Sequence, residues 1–215
     1  MFDKKKLEAL RAAFADAKAG ETADSRFAAA AAAAAMVFGE GGRRKPPYSG
    51  VSTLLDAPYR PDAADMEDFA GLEIALIGVP MDLGVTNRPG ARFGPRAVRD
   101  IERIGPYNHA LDMVPLALCK AADIGDTPMR SRYSLDACIE DIFAFYARLK
   151  AANVRPLSVG GDHSVTYPIL KALGAERPVG LVHFDAHCDT GGEFDGAKFH
   201  HGGPFRQAVL DGVLD

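Results

Sequence analysis

The segment "HFDAHCDT", at residues 183–190, carries three ionisable side chains at alternate positions: Asp185, His187 and Asp189. Residues two apart in an extended segment face the same side, so these three groups can converge on one point. Two carboxylates and an imidazole would cost several kcal/mol if they were buried without partners. A divalent cation removes that cost, and this mix of oxygen and nitrogen ligands suits Mn, Fe, Ni or Zn. The segment therefore predicts a metal site.

A second polar segment, "LSVGGDHS" at residues 157–164, follows another apolar run and supplies His163. Gly160 and Gly161 allow a tight turn and a close approach of backbone. Asp162 is expected to orient a ligand or to cap the helix that follows. Alone, His163 is more simply explained as a hydrogen-bonded histidine at a helix start. Because both segments end strands that can be neighbours in one sheet, together they favour a shared metal site.

Four further side chains lie close to these segments in the sequence. His183 shares the face of Asp185 but lies one step further back, so we predict a core histidine and not a ligand. Cys188 alternates away from that face and is predicted to be a small packed hydrophobe. His200 and His201 precede a Gly-Gly-Pro turn into a helix, and either can act as a proton shuttle near a metal-bound water. Without neighbouring metal ligands, two adjacent histidines in a loop are more often simply exposed to solvent.

Strands and helices are predicted to alternate along the part of the chain that carries these groups. Apolar runs predict strands at 72–80, 114–119, 155–159 and 178–184. Helical spacing and helix-starting prolines predict helices at 95–104, 134–154, 164–174 and 204–213. Apolar strands separated by helices are typical of an α/β fold with three layers, α/β/α, around a mostly parallel sheet. Such sheets bind ligands at the carboxyl ends of their strands.

Residues 1–45 differ from the rest and are predicted to form a helical N-terminal extension. "KKKLEALRAAFADAK" has apolar residues at helical spacing, and the alanine run continues to about residue 40. The Gly- and Pro-rich segment "GEGGRRKPPYSG" then breaks the pattern. We place a boundary there, with residues 46–215 forming the α/β domain. The extension is expected to be a helical arm or a partly disordered segment, with a partner-binding helix as the alternative.

Composition excludes several classes of protein. The chain has 215 residues, 47% of them hydrophobic and 25% charged, as in an ordinary globular protein. A net charge of −4 argues against a nucleic-acid partner. Three cysteines without close pairing indicate a reducing compartment. The apolar run at 27–38 is too short and too rich in alanine to cross a bilayer or to be a normal signal peptide. We therefore expect a cytoplasmic protein with no membrane partner.

The motifs "GGDHS", "DAHCD" and "HHGGPF" resemble those of the arginase/agmatinase family of binuclear manganese ureohydrolases. "YSGVSTLL" and "RPGARFGPRAVR" are similar to the agmatinase-side branch of that family. The resemblance covers residues 48–215 and leaves residues 1–45 outside, and the pairing of "DAHxD" with "GGDHS" is highly specific. It implies an arginase-like fold, two Mn²⁺ ions per complete site and a homo-oligomer, either a trimer or a hexamer.

The resemblance also implies a role for each site residue. His163 and Asp189 would bind one metal, Asp185 would bridge both metals, and His187 would bind the other. His201 matches the family's proton-transfer residue, and Asp189 is counted with it among the catalytic residues. In the family, a hydroxide that bridges the metals attacks the carbon of a guanidinium group, and urea and an amine are released. The implied function is thus hydrolysis of a small, agmatine-like guanidino compound.

The resemblance ends before the whole family pattern is present. The family completes its site with a later strand that ends in a second Asp-x-Asp motif, and with a downstream Glu that holds the guanidinium. Nothing after residue 190 supplies either feature, so we expect a chain that is incomplete at its C-terminus. The loop at 190–200 lacks the Ser-Gly-Asn pattern of arginases, which disfavours arginine. Agmatine, guanidinobutyrate, guanidinopropionate and guanidine stay open, with His200 as a candidate for substrate binding.

Two alternatives accompany this expectation. One is a non-catalytic metal-binding fragment or pseudoenzyme that acts as an assembly partner. The other is a formimino-compound hydrolase of the same family, which would release formamide in place of urea.

Overall fold

The computed structural model describes residues 3–14, 48–65, 68–101, 108, 110–111 and 113–215. These residues fall into two compact units. The first unit comprises Met1–Gly50 and Glu102–Cys119, and the second comprises Val51–Ile101 and Lys120–Asp215. The motifs that carry the candidate site residues, at 157–164, 183–190 and 200–205, all lie in the second unit. None of the helices in the described ranges is long and apolar enough to cross a membrane.

The first unit begins with helix α1, Lys4–Phe14. The Asp3 carboxylate accepts the backbone N–H groups of Lys5 and Lys6 at 3.0 and 3.3 Å, so it caps the helix start. This helix agrees with the helical prediction for its own residues. The remainder of the predicted extension, including the alanine run, lies outside the described residues. The division of the chain near residue 45 therefore stays a prediction.

The strand predicted at 114–119 is wrong. A 3₁₀ turn spans Pro115–Ala117 and is closed by a 3.0 Å bond from the Leu118 N–H to the Pro115 carbonyl. Proline cannot donate to a strand ladder, and its fixed φ suits the first turn of a helix instead. The strand begins later, at Ala121 in the second unit. The apolar run marked the neighbourhood of a strand but not its position.

A three-stranded parallel sheet forms the centre of the second unit. Its strands are β1 (Ile74–Val79), β2 (Ala121–Asp126) and β3 (Arg155–Gly160), in the order β2-β1-β3. Ile74 is aligned with Ala121 on one side and with Arg155 on the other. The central strand is almost wholly buried, which explains its apolar run without alternation. The predictions at 72–80 and 155–159 are confirmed.

The described residues of the second unit form five α-helices: α2 (Asp62–Asp65), α3 (Gly94–Asp100), α4 (Leu135–Ala151), α5 (Thr166–Gly174) and α6 (Pro204–Leu210). The Ser134 side chain caps α4 by accepting the Ala137 N–H at 3.3 Å. Apolar side chains at helical spacing along α4 are buried in one core cluster with β1: Cys138, Ile142, Phe145 and Leu149. A second cluster joins α5 and α6 through Tyr167, Leu170, Phe205 and Ala208. The parallel sheet with packed helices confirms the predicted α/β class.

The strand predicted at 178–184 is also wrong. In the described part of the chain, this segment forms only an isolated bridge, between Val179 and Leu214. Val182 is 80% exposed and Phe184 is 94% exposed. An apolar run becomes a buried strand only when another strand supplies its ladder, and among the described residues β3 is paired with β1 alone. The ionisable residues at 185–189 are therefore preceded by a segment that lies outside this sheet.

Candidate metal centre

A tight turn at the end of β3 places His163. Gly161 has a φ of +55°, and a Cβ atom there would lie 2.5 Å from the Met81 carbonyl oxygen, so only glycine fits without strain. Asp162 is 5% exposed, and its carboxylate accepts the N–H groups of Ser164 at 2.7 Å and Gly84 at 2.9 Å. The capping role predicted for Asp162 is confirmed. The bonds of the Asp162 carboxylate to Ser164 and Gly84 therefore fix the backbone at the position where His163 follows the sheet.

The structure brings His163 together with Asp185 and Asp189. Its Nδ1 makes a very short contact with Asp189 Oδ2 and lies 3.7 Å from Asp185 Oδ2. Asp189 has a left-handed φ of 48°, a conformation that Asp tolerates better than most residues. Its side chain is only 10% exposed. Two separate segments therefore deliver an imidazole and two carboxylates to one place.

Asp185 lies between three imidazoles. Its Oδ1 accepts the His187 N–H at 2.9 Å and lies 3.5 Å from His187 Nδ1. Its Oδ2 faces His163 and lies 3.5 Å from His183 Nε2. The bond from the His187 backbone N–H, reinforced by charge on His163 and His183, holds the pKa of Asp185 below its usual value. The carboxylate is thereby kept in the ionised form that binds cations.

His183 lies beside this cluster with its side chain 25% exposed, so the prediction that it belongs to a core is wrong. That it is not a ligand stays a prediction. Single ligand atoms of His163, His183 and Asp185 all lie within 4.8 Å of one another. The His183 ring is 5.4 Å from the His163 ring and 4.5 Å from the Phe205 ring, measured between centroids. The alternation that groups Asp185, His187 and Asp189 already placed His183 on the same face. The error was the assumption that one step back along the strand means burial in a core.

His187 and Cys188 face outwards. The His187 imidazole is 80% exposed and does not share the group of close ligand atoms formed by His163, His183 and Asp185. Cys188 is exposed, so its predicted packing is wrong. Its Sγ lies 3.3 Å from Thr190 Oγ1, and bonding to Thr190 lowers the pKa of the thiol. Alternation fails to set burial here because the preceding stretch is not a paired strand.

His200 and His201 bond to different loops. His200 bonds within its own loop, since its Nε2 lies 2.7 Å from the Gly192 carbonyl and its Nδ1 accepts the Gly202 N–H at 3.2 Å. His201 reaches the loop after β1, where its N–H donates to the Gly84 carbonyl at 2.9 Å. Its Nε2 lies 3.1 Å from Thr86 Oγ1. Thr86 was not identified from the sequence, because a single threonine in a loop carries no local signal.

A buried carboxylate holds the loop that carries Thr86. The Asp82 side chain has no exposed area, and it accepts the Gly90 N–H at 2.6 Å and Arg92 Nε at 2.5 Å. The Arg92 guanidinium lowers the pKa of Asp82 despite its burial. The loop is thus closed on itself across eight to ten residues. This closure gives Thr86 a defined position beside His201.

The donor set of this cluster fits a divalent cation. Imidazole nitrogens and carboxylate oxygens from His163, His183, Asp185 and Asp189 lie side by side without a Lys or Arg bonded to them in the described structure. His183 Nε2 is buried and has no hydrogen-bond partner among the described residues. Clustered carboxylates to which no Lys or Arg of the described residues is bonded, next to a ring nitrogen without a hydrogen-bond partner, are typical of a metal site.

The family model described as "Arginase family" matches residues 72–215. Guanidinopropionase of Pseudomonas aeruginosa is 44% identical over 172 residues, which are 79% of this chain and 52% of that protein. The chain spans about half the length of the curated relatives it matches.

Two solved structures show the same likeness in three dimensions. Proclavaminate amidino hydrolase from Streptomyces clavuligerus has a TM-score of 0.68 and 33% identity, covering 80% of this chain and 56% of that one. Trypanosoma cruzi formiminoglutamase, solved with Mn²⁺, has a TM-score of 0.59 and 26% identity, covering 77% of this chain and 55% of that one. The parallel sheet and its helices are therefore those of an arginase-like fold.

Proposed function

The chain belongs to the arginase family, and from this membership we propose that it hydrolyses a small guanidino compound to urea and an amine at a metal centre. The observation that carries the proposal is the meeting of His163 with Asp185 and Asp189 from a second segment. Guanidinopropionase supports the substrate class, since its name states action on a guanidino acid. Agmatine, guanidinobutyrate and guanidinopropionate are the first substrates to test.

His163, Asp185, Asp189 and His187 are the residues that would hold the metal, and manganese is the proposed ion. Trypanosoma cruzi formiminoglutamase, which holds Mn²⁺, supports that choice. When bound, such ions lower the pKa of a water to about 7, so that it can attack a carbon at neutral pH. The short contact between Asp189 and His163 fixes both side chains before any ion arrives. The His187 N–H orients Asp185 in the same way.

His201 is the proposed proton-transfer residue. The departing amine needs a proton, and histidine is the side chain that most often transfers protons in enzymes. Its backbone bond to Gly84 and the contact of its Nε2 with Thr86 Oγ1 fix the position and direction of the ring. His200 stays a weaker candidate for substrate binding, since both ring nitrogens already bond within the loop.

Metal content and urea release test the proposal together. The purified chain, loaded with Mn²⁺, is incubated with each guanidino compound, and urea is measured. His163→Ala and Asp185→Ala are expected to lower bound manganese, as measured by elemental analysis. His201→Ala is expected to keep the metal and to slow turnover by about 10²–10⁴-fold, the usual contribution of a general acid or base. Asp100→Ala, which removes a carboxylate 57% exposed on α3, is the matched control.

Each outcome separates one part of the proposal. Unchanged manganese in His163→Ala contradicts the metal assignment, and an unaltered rate in His201→Ala removes its role. A chain that keeps manganese but releases no urea is a non-catalytic metal-binding protein. Formamide from a formimino substrate identifies the second candidate, which the likeness to formiminoglutamase favours.

Assembly, location and domain boundary stay proposals of the same kind. A trimer or hexamer is expected from the family resemblance, and light scattering on the purified chain measures it. The cytoplasmic location rests on the three cysteines without close pairing and on the apolar run at 27–38, which is too short and too rich in alanine to cross a bilayer or to be a normal signal peptide. Expression of residues 46–215 without the extension tests the boundary near residue 45.

A further inference from the structure

His183 carries an unexplained polar atom at the edge of the metal centre. Its Nε2 is buried and unsatisfied within the described structure. The nearest acceptor, Asp185 Oδ2, lies 3.5 Å away, beyond the usual length of an N–H···O bond. Leaving a buried donor unmet costs about 1–3 kcal/mol, and native proteins seldom retain such groups without a purpose.

Contacts with two aromatic rings fix the direction of this ring. The Phe205 ring meets it at 4.5 Å and 64°, and the His163 ring lies 5.4 Å away at 30°. Phe205 is itself 6% exposed and belongs to the core cluster of α5 and α6. The imidazole is thus held on one side by a packed aromatic and points its free nitrogen towards Asp185.

Asp185 still has room for one more hydrogen bond. Its Oδ1 already accepts the His187 N–H, whereas its Oδ2 faces His163 and His183 at 3.7 and 3.5 Å. The Asp185 side chain is 29% exposed, so an ion arriving from solvent can meet the carboxylate while His183 Nε2 stays enclosed behind it. Carboxylates that bind metals are generally hydrogen-bonded by a further residue that orients them.

We propose that His183 is a positioning residue of the metal centre, whose Nε2–H donates to Asp185 Oδ2 when that carboxylate binds the cation. This role rests on the metal centre of the proposed function, and it adds a residue that the family motif does not assign. It explains why a polar atom is enclosed without a partner. A shift of about half an ångström in either side chain brings the pair to hydrogen-bond length.

The test compares two substitutions at this position in the full chain. His183→Phe keeps a ring against Phe205 but removes the donor, and His183→Gln keeps a donor at similar reach. The manganese affinity of His183→Phe is expected to fall about 10- to 100-fold, as for other residues that orient metal ligands. His183→Gln is expected to stay within about threefold of the unaltered chain, since the donor is retained. Isothermal titration with Mn²⁺ measures both.

Pulsed electron paramagnetic resonance of bound Mn²⁺ separates positioning from direct coordination, because it detects the nitrogens bonded to the ion. The nitrogen coupling is expected to persist in His183→Phe and to diminish in His163→Ala. An unchanged affinity in His183→Phe overturns the role, and so does the loss of a coordinated nitrogen in that variant. Should the Phe variant fail to fold, His183→Met removes the donor with a flexible apolar chain and carries the same comparison.

The outcomes also separate this role from the proposed function. If the unaltered chain binds no manganese, the metal centre fails and the role of His183 fails with it. If the chain binds manganese, releases no urea, and loses affinity in His183→Phe, the role stands while the hydrolase proposal fails. As a further check, the effect of His183→Phe should vanish when Asp185→Asn is already present, because the two residues are proposed to act as a pair.

Discussion

Asp123 offers the sharpest test of what holds the sheet and its neighbouring segments together. Its side chain has no exposed area. It accepts four hydrogen bonds: from the Leu54 N–H at 2.7 Å, the Gly125 N–H at 2.9 Å, and Arg99 at 2.8 and 3.0 Å. Asp123→Ala removes all four acceptor contacts from β2. It removes the side-chain links from the segment before α2 and from the last turn of α3 to the sheet at the same time, while the backbone of residue 123 stays bonded to Pro58 and Arg60.

The expected cost follows from what the substitution leaves behind. The Arg99 side chain is 13% exposed and, among the described residues, would keep Asp126 Oδ1 at 2.6 Å and the Gly125 carbonyl at 2.8 Å. A buried charge that loses its buried partner destabilises a protein by about 3–5 kcal/mol. Asp126 binds the same guanidinium but is 45% exposed. Because water can replace an exposed carboxylate, Asp126→Ala should cost no more than about 1 kcal/mol.

Urea denaturation followed by circular dichroism measures the difference between the two variants. The comparison is valid where the m-value, which reports the surface exposed on unfolding, stays constant. In a chain of this size, about 3–5 kcal/mol corresponds to a Tm lower by roughly 6–20 °C. Equal losses for the two variants, or a loss below about 1 kcal/mol for Asp123→Ala, would refute the reasoning from burial.

Three further predictions address the loop, the core and the turn. Thr86→Val removes the hydroxyl beside His201 Nε2 and should lower kcat about 2- to 10-fold with unchanged metal content; an equal kcat rules the contact out. Burial raises the pKa of Tyr146 from 10.0 to about 12, so its neutral phenol stabilises the fold fully below pH 10. That contribution, about 3 kcal/mol, is lost as pH rises through 12, and Tyr146→Phe should remove this decline in unfolding free energy measured between pH 9 and 12. Gly161→Ala should cost about 1–3 kcal/mol in urea unfolding, because its Cβ meets the Met81 carbonyl at positive φ; a neutral effect contradicts the turn geometry.

The sequence correctly predicted those helices and strands whose buried residues can be recognised from the pattern of their own segment. The strand β1 is surrounded on both sides, so its apolar run is recognisable without knowledge of its partners. The stripe of α4 repeats at helical spacing and is buried as that spacing requires. The parallel arrangement followed from the alternation of such strands with helices. Each inference needed only the periodicity of neighbouring residues.

Part of the candidate site could be predicted from the sequence for the same reason. Extended-chain geometry predicted Asp185 and Asp189 on one side. The segment instead bends at residues 186–187 and Asp189 has a φ of 48°, yet both carboxylates lie against His163. Their meeting with His163 required only that two segments end near one another. His183, in contrast, was assigned to the core because its depth was inferred from an assumed strand. That strand has no ladder partner in the described ranges, so the inference of depth failed.

Sequence alone determined the class of fold, the acidic and histidine segments that meet, and the family to which the motifs belong. The tertiary structure alone decided where apolar runs find partners, that His183 faces Asp185, and that Thr86 lies beside a histidine 115 positions away. The physical reason is the range of the interactions. Periodicity and backbone geometry act between near neighbours in the chain, whereas burial and hydrogen bonding depend on groups that only the folded chain brings into contact.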